Sequence, residues 1–130
     1  MADILIKNVA IRGIAACVPK HVESNLKIPV FNDGEAERVI AQTGIRQKHT
    51  VPDGSILASD LCVAACEKLF EELDWEKDSV DVLGFVSLSA DYLEPPTACI
   101  LQDRLGLPES VMTIDMNQGC SGWVNGLATL

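Results

Sequence analysis

The sequence is short of aromatic residues and of long apolar runs, and both shortages limit what the protein can be. Aromatic residues make up 5% of its 130 residues. No apolar run approaches the roughly 20 residues that a membrane-spanning helix needs. Lys7 and Arg12 interrupt the apolar N-terminal stretch, so we do not expect a secretory signal. We therefore predict a cytoplasmic protein that neither binds nor crosses a membrane.

Basic residues are also scarce. The sequence has 10 lysines and arginines against 19 aspartates and glutamates, and its net charge is −9. Nucleic acids and anionic membranes repel a protein of this charge. The densest basic stretch, residues 46–49, contains no aromatic side chain that could stack on a base. We therefore predict that nucleic acid is not a partner.

Histidine is rare, and no Cys-x-x-Cys pair occurs. The cysteines are Cys17, Cys62, Cys66, Cys99 and Cys120. An odd number of cysteines, without a predicted secretory signal, favours reduced thiols over a disulfide framework. Cys62 and Cys66 would share one face of a helix, but a metal ion would need more ligands, and there are only 2 histidines. We predict no metal site and interpret both as small core thiols.

The sequence does contain an alternation of strand-like and helix-like segments. Hydrophobic residues make up 48% and charged residues 22% of the chain, which is typical of a packed domain. The predicted elements are one or two strands within 4–18, helices over 35–44 and 56–73, a strand over 80–89, a helix over 97–106, a strand over 111–115 and a helix from Cys120. This order favours an α/β layered domain over residues 1–130. Because only about ten residues remain for the last helix, we expect the sequence to be part of a longer one.

Three finer predictions accompany these elements. Residues 19–32 contain prolines and asparagines and are predicted to form a loop. Ser55 or Ser59 is expected to cap the helix over 56–73. The near-continuous apolar run over 80–89 predicts a strand that is buried on both faces.

Cys120 stands between a strand-like and a helix-like segment in the stretch TIDMNQGCSGW, residues 113–123. The start of a helix presents unpaired N–H groups, which stabilise a thiolate and can hold an oxyanion. Gly119 and Gly122 would let the backbone and a substrate approach closely. The pattern therefore indicates a nucleophile on a tight turn. Spacing alone slightly favours the other interpretation, a buried structural cysteine at a strand-to-helix turn, because Gly-Cys is a short signal.

This stretch resembles the active-site segment of the thiolase superfamily, and most of all that of the β-ketoacyl-[acyl carrier protein] synthase III family. The matching residues are Asp115, Gly119, Cys120, Gly122 and Trp123. Three further stretches resemble the family in the same order: GIAACVP over 13–19, TGIR over 43–46, and PTAC over 96–99 with Leu-Gly over 105–106. The resemblance therefore spans nearly the whole chain.

The resemblance implies a thiolase-like fold with α-β-α-β-α layers, built from two similar halves and assembled as a homodimer. Residues 1–130 would form the first half and end in or just after the helix that carries the nucleophile. Cys120 would accept an acyl group from acyl-CoA or an acyl carrier protein. A decarboxylative condensation with malonyl-acyl carrier protein would follow, as in fatty-acid or polyketide-type biosynthesis. These thioesters are substrates, and no cofactor is implied.

The family's catalytic His and Asn lie in the second half. Neither His21 nor His49 occupies a matching motif. We therefore expect the isolated 130-residue chain to be unable to complete the condensation.

Several positions depart from the family pattern. Arg38 and Gln42 occupy the places of a Trp and an Arg that clamp the adenine of CoA. Arg38 could still stack on a base or hold a phosphate, or it could be a solvated helix residue, so a carrier-protein primer remains an alternative to CoA. Arg46, with Lys48, is the only basic site offered to an acidic carrier protein.

Two departures concern the acyl pocket. Pro95 stands where the family commonly has a Phe that limits this pocket, so we expect an acyl group other than acetyl. Trp123 replaces a typical Phe after the nucleophile and would contact substrate or pack in the core. These departures keep another thiolase-superfamily acyltransferase, a 3-hydroxy-3-methylglutaryl-CoA synthase-like enzyme and a non-catalytic dimer partner open as alternatives. The retained Cys120 argues against the last of these. The sequence does not identify the acyl donor, its chain length or the pathway.

Overall fold

The structure is a computed structural model, and it describes residues 5–130. Its contacts divide the chain into two compact units. The larger unit takes in the chain up to Cys17 together with Leu57–Leu130, and the smaller unit is Val18–Ile56. Each unit is described by itself below. Within the described residues, no helix is both long and apolar enough to span a bilayer.

The smaller unit contains two short strands and one helix. Its elements are β1 (His21–Ser24), α1 (Glu35–Thr43) and β2 (Gln47–Thr50). The strands pair antiparallel, with His21 opposite Thr50 and Ser24 opposite Gln47. The predicted loop over 19–32 was wrong at β1, and β2 was not predicted at all. Both strands have four residues and are mostly polar, so they carry no alternation of apolar and polar residues that would reveal them.

Helix α1 confirms the prediction over 35–44. It ends at Gly44, whose left-handed conformation (φ 75°) suits a residue without a Cβ atom. At the start of the helix, the Glu35 carboxylate accepts a hydrogen bond of 3.0 Å from the backbone N–H of Asn32.

The larger unit contains three helices and a two-stranded parallel sheet. Its elements are α2 (Ala58–Leu73), β3 (Val82–Val86), α3 (Thr97–Leu105), β4 (Met112–Met116) and α4 (Gly122–Thr129). The register of the sheet runs from Val82 opposite Met112 to Val86 opposite Met116. The buried core is built by α3, β3 and the loop before β4, and its members are Phe85, Ala98, Leu101, Leu105, Leu107 and Val111. This α/β arrangement confirms the predicted fold class and the predicted helices and strands from residue 56 onward.

The predicted strand or strands within 4–18 are absent from the described part of that segment, and Ile4 lies outside it. Exposure still alternates along residues 13–17, as in an extended chain. A Cβ atom on Gly13 would lie 2.8 Å from Leu69 Cδ1, so the segment runs close over α2. The prediction was wrong because a strand requires a hydrogen-bonded neighbour, and an apolar pattern does not supply one.

Two of the finer predictions were also wrong. Neither serine caps α2: the Ser55 hydroxyl donates to Asp53, and the Ser59 hydroxyl accepts from Arg104. Instead, the carboxylate of Asp60 accepts a 2.8 Å bond from the backbone N–H of Leu57. In β3 only Phe85 is fully buried, while the other four residues are half-buried. The strand is therefore less completely covered than its apolar sequence indicates.

Candidate active site

Cys120 lies on the turn between β4 and α4, as the sequence predicts, and its side chain is exposed. A buried structural thiol does not match this exposure in the described chain. The role of Cys120 as a nucleophile stays a prediction. Three backbone hydrogen bonds hold the turn. The carbonyl of Met116 accepts from Ser87 (3.1 Å) and from Gln118 (3.0 Å), and the carbonyl of Gly119 accepts from Gly122 (2.8 Å). The thiol is therefore presented to solvent by a fixed backbone.

The glycines beside Cys120 let α4 pack closely on β3. A Cβ atom on Gly122 would lie 2.5 Å from Val86 Cγ1, and one on Gly126 would lie 3.1 Å from Val86 Cγ2. Real Cβ atoms do not approach neighbours as closely as the first distance, so Gly122 is required by packing. The sequence analysis gave Gly119 and Gly122 a role in substrate approach. At Gly122 the contact in the structure is with Val86.

An amide pair braces the turn against α4. The Asn125 side chain donates a 2.7 Å hydrogen bond to Oε1 of Gln118. Residues 118 and 125 lie on either side of Cys120 in the sequence, so this bond closes a loop around it. Sequence reasoning missed the pair, because two amides seven residues apart give no recognisable signal.

Asp115 joins β4 to the first turn of α3. Its two carboxylate oxygens accept bonds of 2.7 Å each from the backbone N–H groups of Thr97 and Ala98. A carboxylate at this position satisfies N–H groups that have no partner within the helix and faces the positive end of the helix dipole. The sequence indicated Asp115 only as part of the motif that resembles the family. The structure shows what it contacts.

Replacing Asp115 by asparagine is expected to destabilise the larger unit by about 1–2 kcal/mol, because an amide offers one acceptor where the carboxylate offers two. Chemical denaturation measures the effect. Asp78→Asn is the matched control, since Asp78 is exposed and makes no side-chain hydrogen bond within residues 5–130. Equal stability of the Asp115 and Asp78 variants would contradict this role.

The other cysteines of the larger unit are less accessible than Cys120. Cys17, Cys62, Cys66 and Cys99 are all half-buried. Burial raises the pKa of the Cys62 and Cys66 thiols, and nearby Cys66 and Asp91 raise that of Cys62 further. Within residues 5–130, no group of three or more His, Cys, Asp or Glu side chains is placed to hold a metal ion.

Alkylation should distinguish these thiols. Near neutral pH, a raised pKa leaves less of the reactive thiolate, and burial slows access to it. We expect iodoacetamide to modify Cys120 at least about tenfold faster than Cys62 or Cys66. Peptide mapping after short reaction times measures the order in which the thiols are modified. Faster modification of either half-buried thiol would show that the described exposure does not govern reactivity.

Two of the predicted substrate-binding residues lie in the larger unit. Pro95 is exposed in the loop that precedes α3. Trp123 lies on the first turn of α4 and is 61% exposed, so it does not pack in the core of the described chain. Their contact with a substrate stays a prediction.

The other two predicted residues lie in the smaller unit. Arg38 is exposed on α1 and its guanidinium lies 3.8 Å from the carboxylate of Glu35, which fits a solvated helix residue. Arg46 lines an open cleft of about 630 Å³ between α1 and the β1–β2 pair, together with Leu26 and Ile40. Binding of a substrate by either arginine stays a prediction.

Comparison with known proteins agrees with this fold, although no family model matches the chain. The chain is 32% identical over 124 residues to the β-ketoacyl-[acyl-carrier-protein] synthase III of Koribacter versatilis, covering 95% of this chain and 37% of that protein. It is 30% identical over 118 residues to the same enzyme of Thiobacillus denitrificans, covering 91% and 37%. The chain thus spans little more than a third of these curated relatives.

Two solved structures also resemble the chain over about a third of their length. A 3-oxoacyl-(acyl-carrier protein) synthase from Burkholderia xenovorans superposes with a TM-score of 0.78 and 37% identity, over 88% of this chain and 34% of that one. Cerulenin-bound OleA from Xanthomonas campestris superposes with a TM-score of 0.79 and 27% identity, over 93% and 37%.

These similarities show that the chain has a thiolase-like fold. By sequence, it is homologous to the N-terminal part of β-ketoacyl-[acyl-carrier-protein] synthase III.

Proposed function

We propose that the protein is a condensing enzyme similar to 3-oxoacyl-acyl carrier protein synthase III, with Cys120 as its nucleophile. One observation carries the proposal: an exposed cysteine lies on a hydrogen-bonded turn between β4 and α4. The condensing enzymes among its homologues support the same class of reaction.

In this proposal the thiolate of Cys120 attacks the carbonyl carbon of an acyl thioester. The thiol of CoA or of a carrier protein leaves, and an acyl-cysteine forms. Backbone N–H groups near the start of α4 stabilise the oxyanion of the tetrahedral intermediate. Malonyl-acyl carrier protein then loses carbon dioxide, and the resulting carbanion attacks the acyl carbonyl. A 3-oxoacyl thioester forms and the Cys120 thiolate is released.

The second step needs groups that stabilise the charge formed on decarboxylation. The His and Asn that the resemblance implies have no counterpart in the 130 residues. We therefore propose that the 130-residue chain contributes the binding and transfer of the acyl group. By itself, this chain does not decarboxylate malonyl thioester. Cytoplasmic location, a homodimer and docking of an acyl carrier protein belong to the same proposal.

A second candidate is a different acyl transfer or condensation on the same cysteine turn. The similarity to OleA favours it, as do Arg38, Gln42 and Pro95, which depart from the pattern of synthase III. A non-catalytic partner is disfavoured because Cys120 is present and exposed.

The experiment uses the protein expressed from its whole gene. Acyl-CoAs and acyl carrier proteins of several chain lengths are each combined with malonyl-acyl carrier protein, and products are measured by mass spectrometry. We expect 3-oxoacyl-acyl carrier protein and an equal amount of carbon dioxide, with a donor other than acetyl preferred. A condensation product formed without malonyl thioester would favour the second candidate.

A further inference from the structure

Leu88 is an apolar side chain that lies against the turn of the proposed nucleophile without being buried. It is 71% exposed. A Cβ atom built on Gly119, the residue before Cys120, would lie 3.3 Å from Leu88 Cδ1. An exposed leucine is common on a protein surface. What distinguishes Leu88 is its position beside the residue that precedes the proposed nucleophile.

The loop that carries Leu88, residues 87–96, is held at both ends by the segment that carries Cys120. At its start, Ser87 donates a 3.1 Å backbone bond to Met116. Just beyond its end, Thr97 and Ala98 donate to the carboxylate of Asp115, at 2.7 Å each. Loop 87–96 therefore cannot shift along β4 without breaking these bonds.

Three further bonds fix the interior of the loop. The backbone N–H of Asp91 donates to the Thr97 hydroxyl at 3.2 Å, and Oδ1 of Asp91 accepts from the backbone of Ser59 at 3.3 Å. Near Leu88 itself, the backbone N–H of Ser89 donates to the Ser87 hydroxyl at 2.9 Å. Leu88 is thus presented beside the nucleophile turn by a braced backbone, as a side chain that contacts substrate requires.

We propose that Leu88 determines which acyl groups Cys120 accepts, by contacting the carbon chain next to the thioester carbonyl. The inference rests on the proposed function, since it concerns the acyl group that Cys120 would carry. A leucine at this place favours an acyl group that is narrow next to the carbonyl carbon. The leucine side chain restricts branching of the acyl group at that position. An apolar contact of this kind discriminates between substrates that differ by one methyl group by about tenfold or more.

The test compares variants of the protein expressed from its whole gene. The rate of Cys120 acylation is measured with straight-chain and 2-methyl-branched acyl thioesters of equal length. We expect Leu88→Ala to raise the branched-to-straight rate ratio by about tenfold and Leu88→Phe to lower it. Because Leu88 is largely exposed, neither substitution should unfold the protein. Leu57→Ala is the matched control, since Leu57 is a partly exposed leucine at the start of α2 and should leave the ratio unchanged.

A second variant tests the contact itself. Gly119→Ala places a methyl group against Leu88, so it should change the ratio in the parent protein and have little effect in the Leu88→Ala background. Equal ratios for the parent, Leu88→Ala and Leu88→Phe would overturn the inference while leaving the proposed function intact. Absence of acylation at Cys120 in the parent protein would instead overturn the proposed function, and the inference with it.

Discussion

Replacing Cys120 by alanine is expected to abolish formation of the 3-oxoacyl product. A nucleophile that forms a covalent intermediate cannot be replaced by a methyl group, and losses of at least on the order of a thousandfold are typical. The rate of product formation from the preferred acyl donor and malonyl-acyl carrier protein measures the effect. Since Cys120 is exposed and its side chain is not part of the core, the variant should retain the stability of the parent protein.

Cys99→Ala is the matched control for this loss. Cys99 is a half-buried thiol in the same unit, with its sulfur 3.3 Å from the hydroxyl of Thr113. Its replacement should lower stability slightly and leave turnover nearly unchanged. If the Cys99 variant lost activity while the Cys120 variant kept it, the nucleophile would have been assigned to the wrong cysteine.

Replacing Gly122 by alanine is expected to destabilise the protein by about 1–3 kcal/mol through overpacking. In an exposed helix, the same exchange would stabilise by about 0.5–1 kcal/mol. At Gly122 the exchange is expected to lower the stability instead, because the added methyl group would lie 2.5 Å from Val86 Cγ1. The free energy of unfolding, measured by chemical denaturation, tests this prediction.

Two companion variants show whether the contact with Val86 is the cause. Gly126→Ala should cost less than Gly122→Ala, because its Cβ atom would lie 3.1 Å from Val86. Val86→Ala, combined with Gly122→Ala, should recover part of the lost stability by making room. A Gly122 variant as stable as the parent would mean that α4 does not pack on β3 as described.

Local signals in the sequence predicted the helices of this chain well. Helix α1 ends at Gly44 and α3 at Gly106, and both glycines adopt the left-handed conformation that terminates a helix. The turn between β4 and α4 was predicted from the glycines around Cys120. These features depend on residues close in sequence, which is why a pattern can reveal them.

Features that depend on distant partners were not predictable. The β1–β2 pair joins two polar tetrapeptides, and the start of α2 is capped by Asp60 instead of a serine. The extended segment before Cys17 has a strand-like pattern but no hydrogen-bonded neighbour among the described residues. Such outcomes are decided by which backbones meet in the folded chain.

At the candidate site too, the feature set by residues close in sequence was predicted and the features set by distant residues were not. The place of Cys120 on a strand-to-helix turn followed from the sequence. The packing role of Gly122, the two hydrogen bonds to Asp115 and the position of Leu88 beside the turn did not. Each of these links residues from different elements, and only the folded structure brings them together.

The central claim is that Cys120 carries the acyl group, and peptide mapping of the acylated protein tests it most directly. The protein expressed from its whole gene is incubated with the panel of acyl thioesters, digested and analysed by mass spectrometry. The account predicts one acyl adduct, confined to the peptide that contains Cys120 and absent from the Cys120→Ala variant. An adduct on another cysteine, or no adduct from any donor, would contradict it.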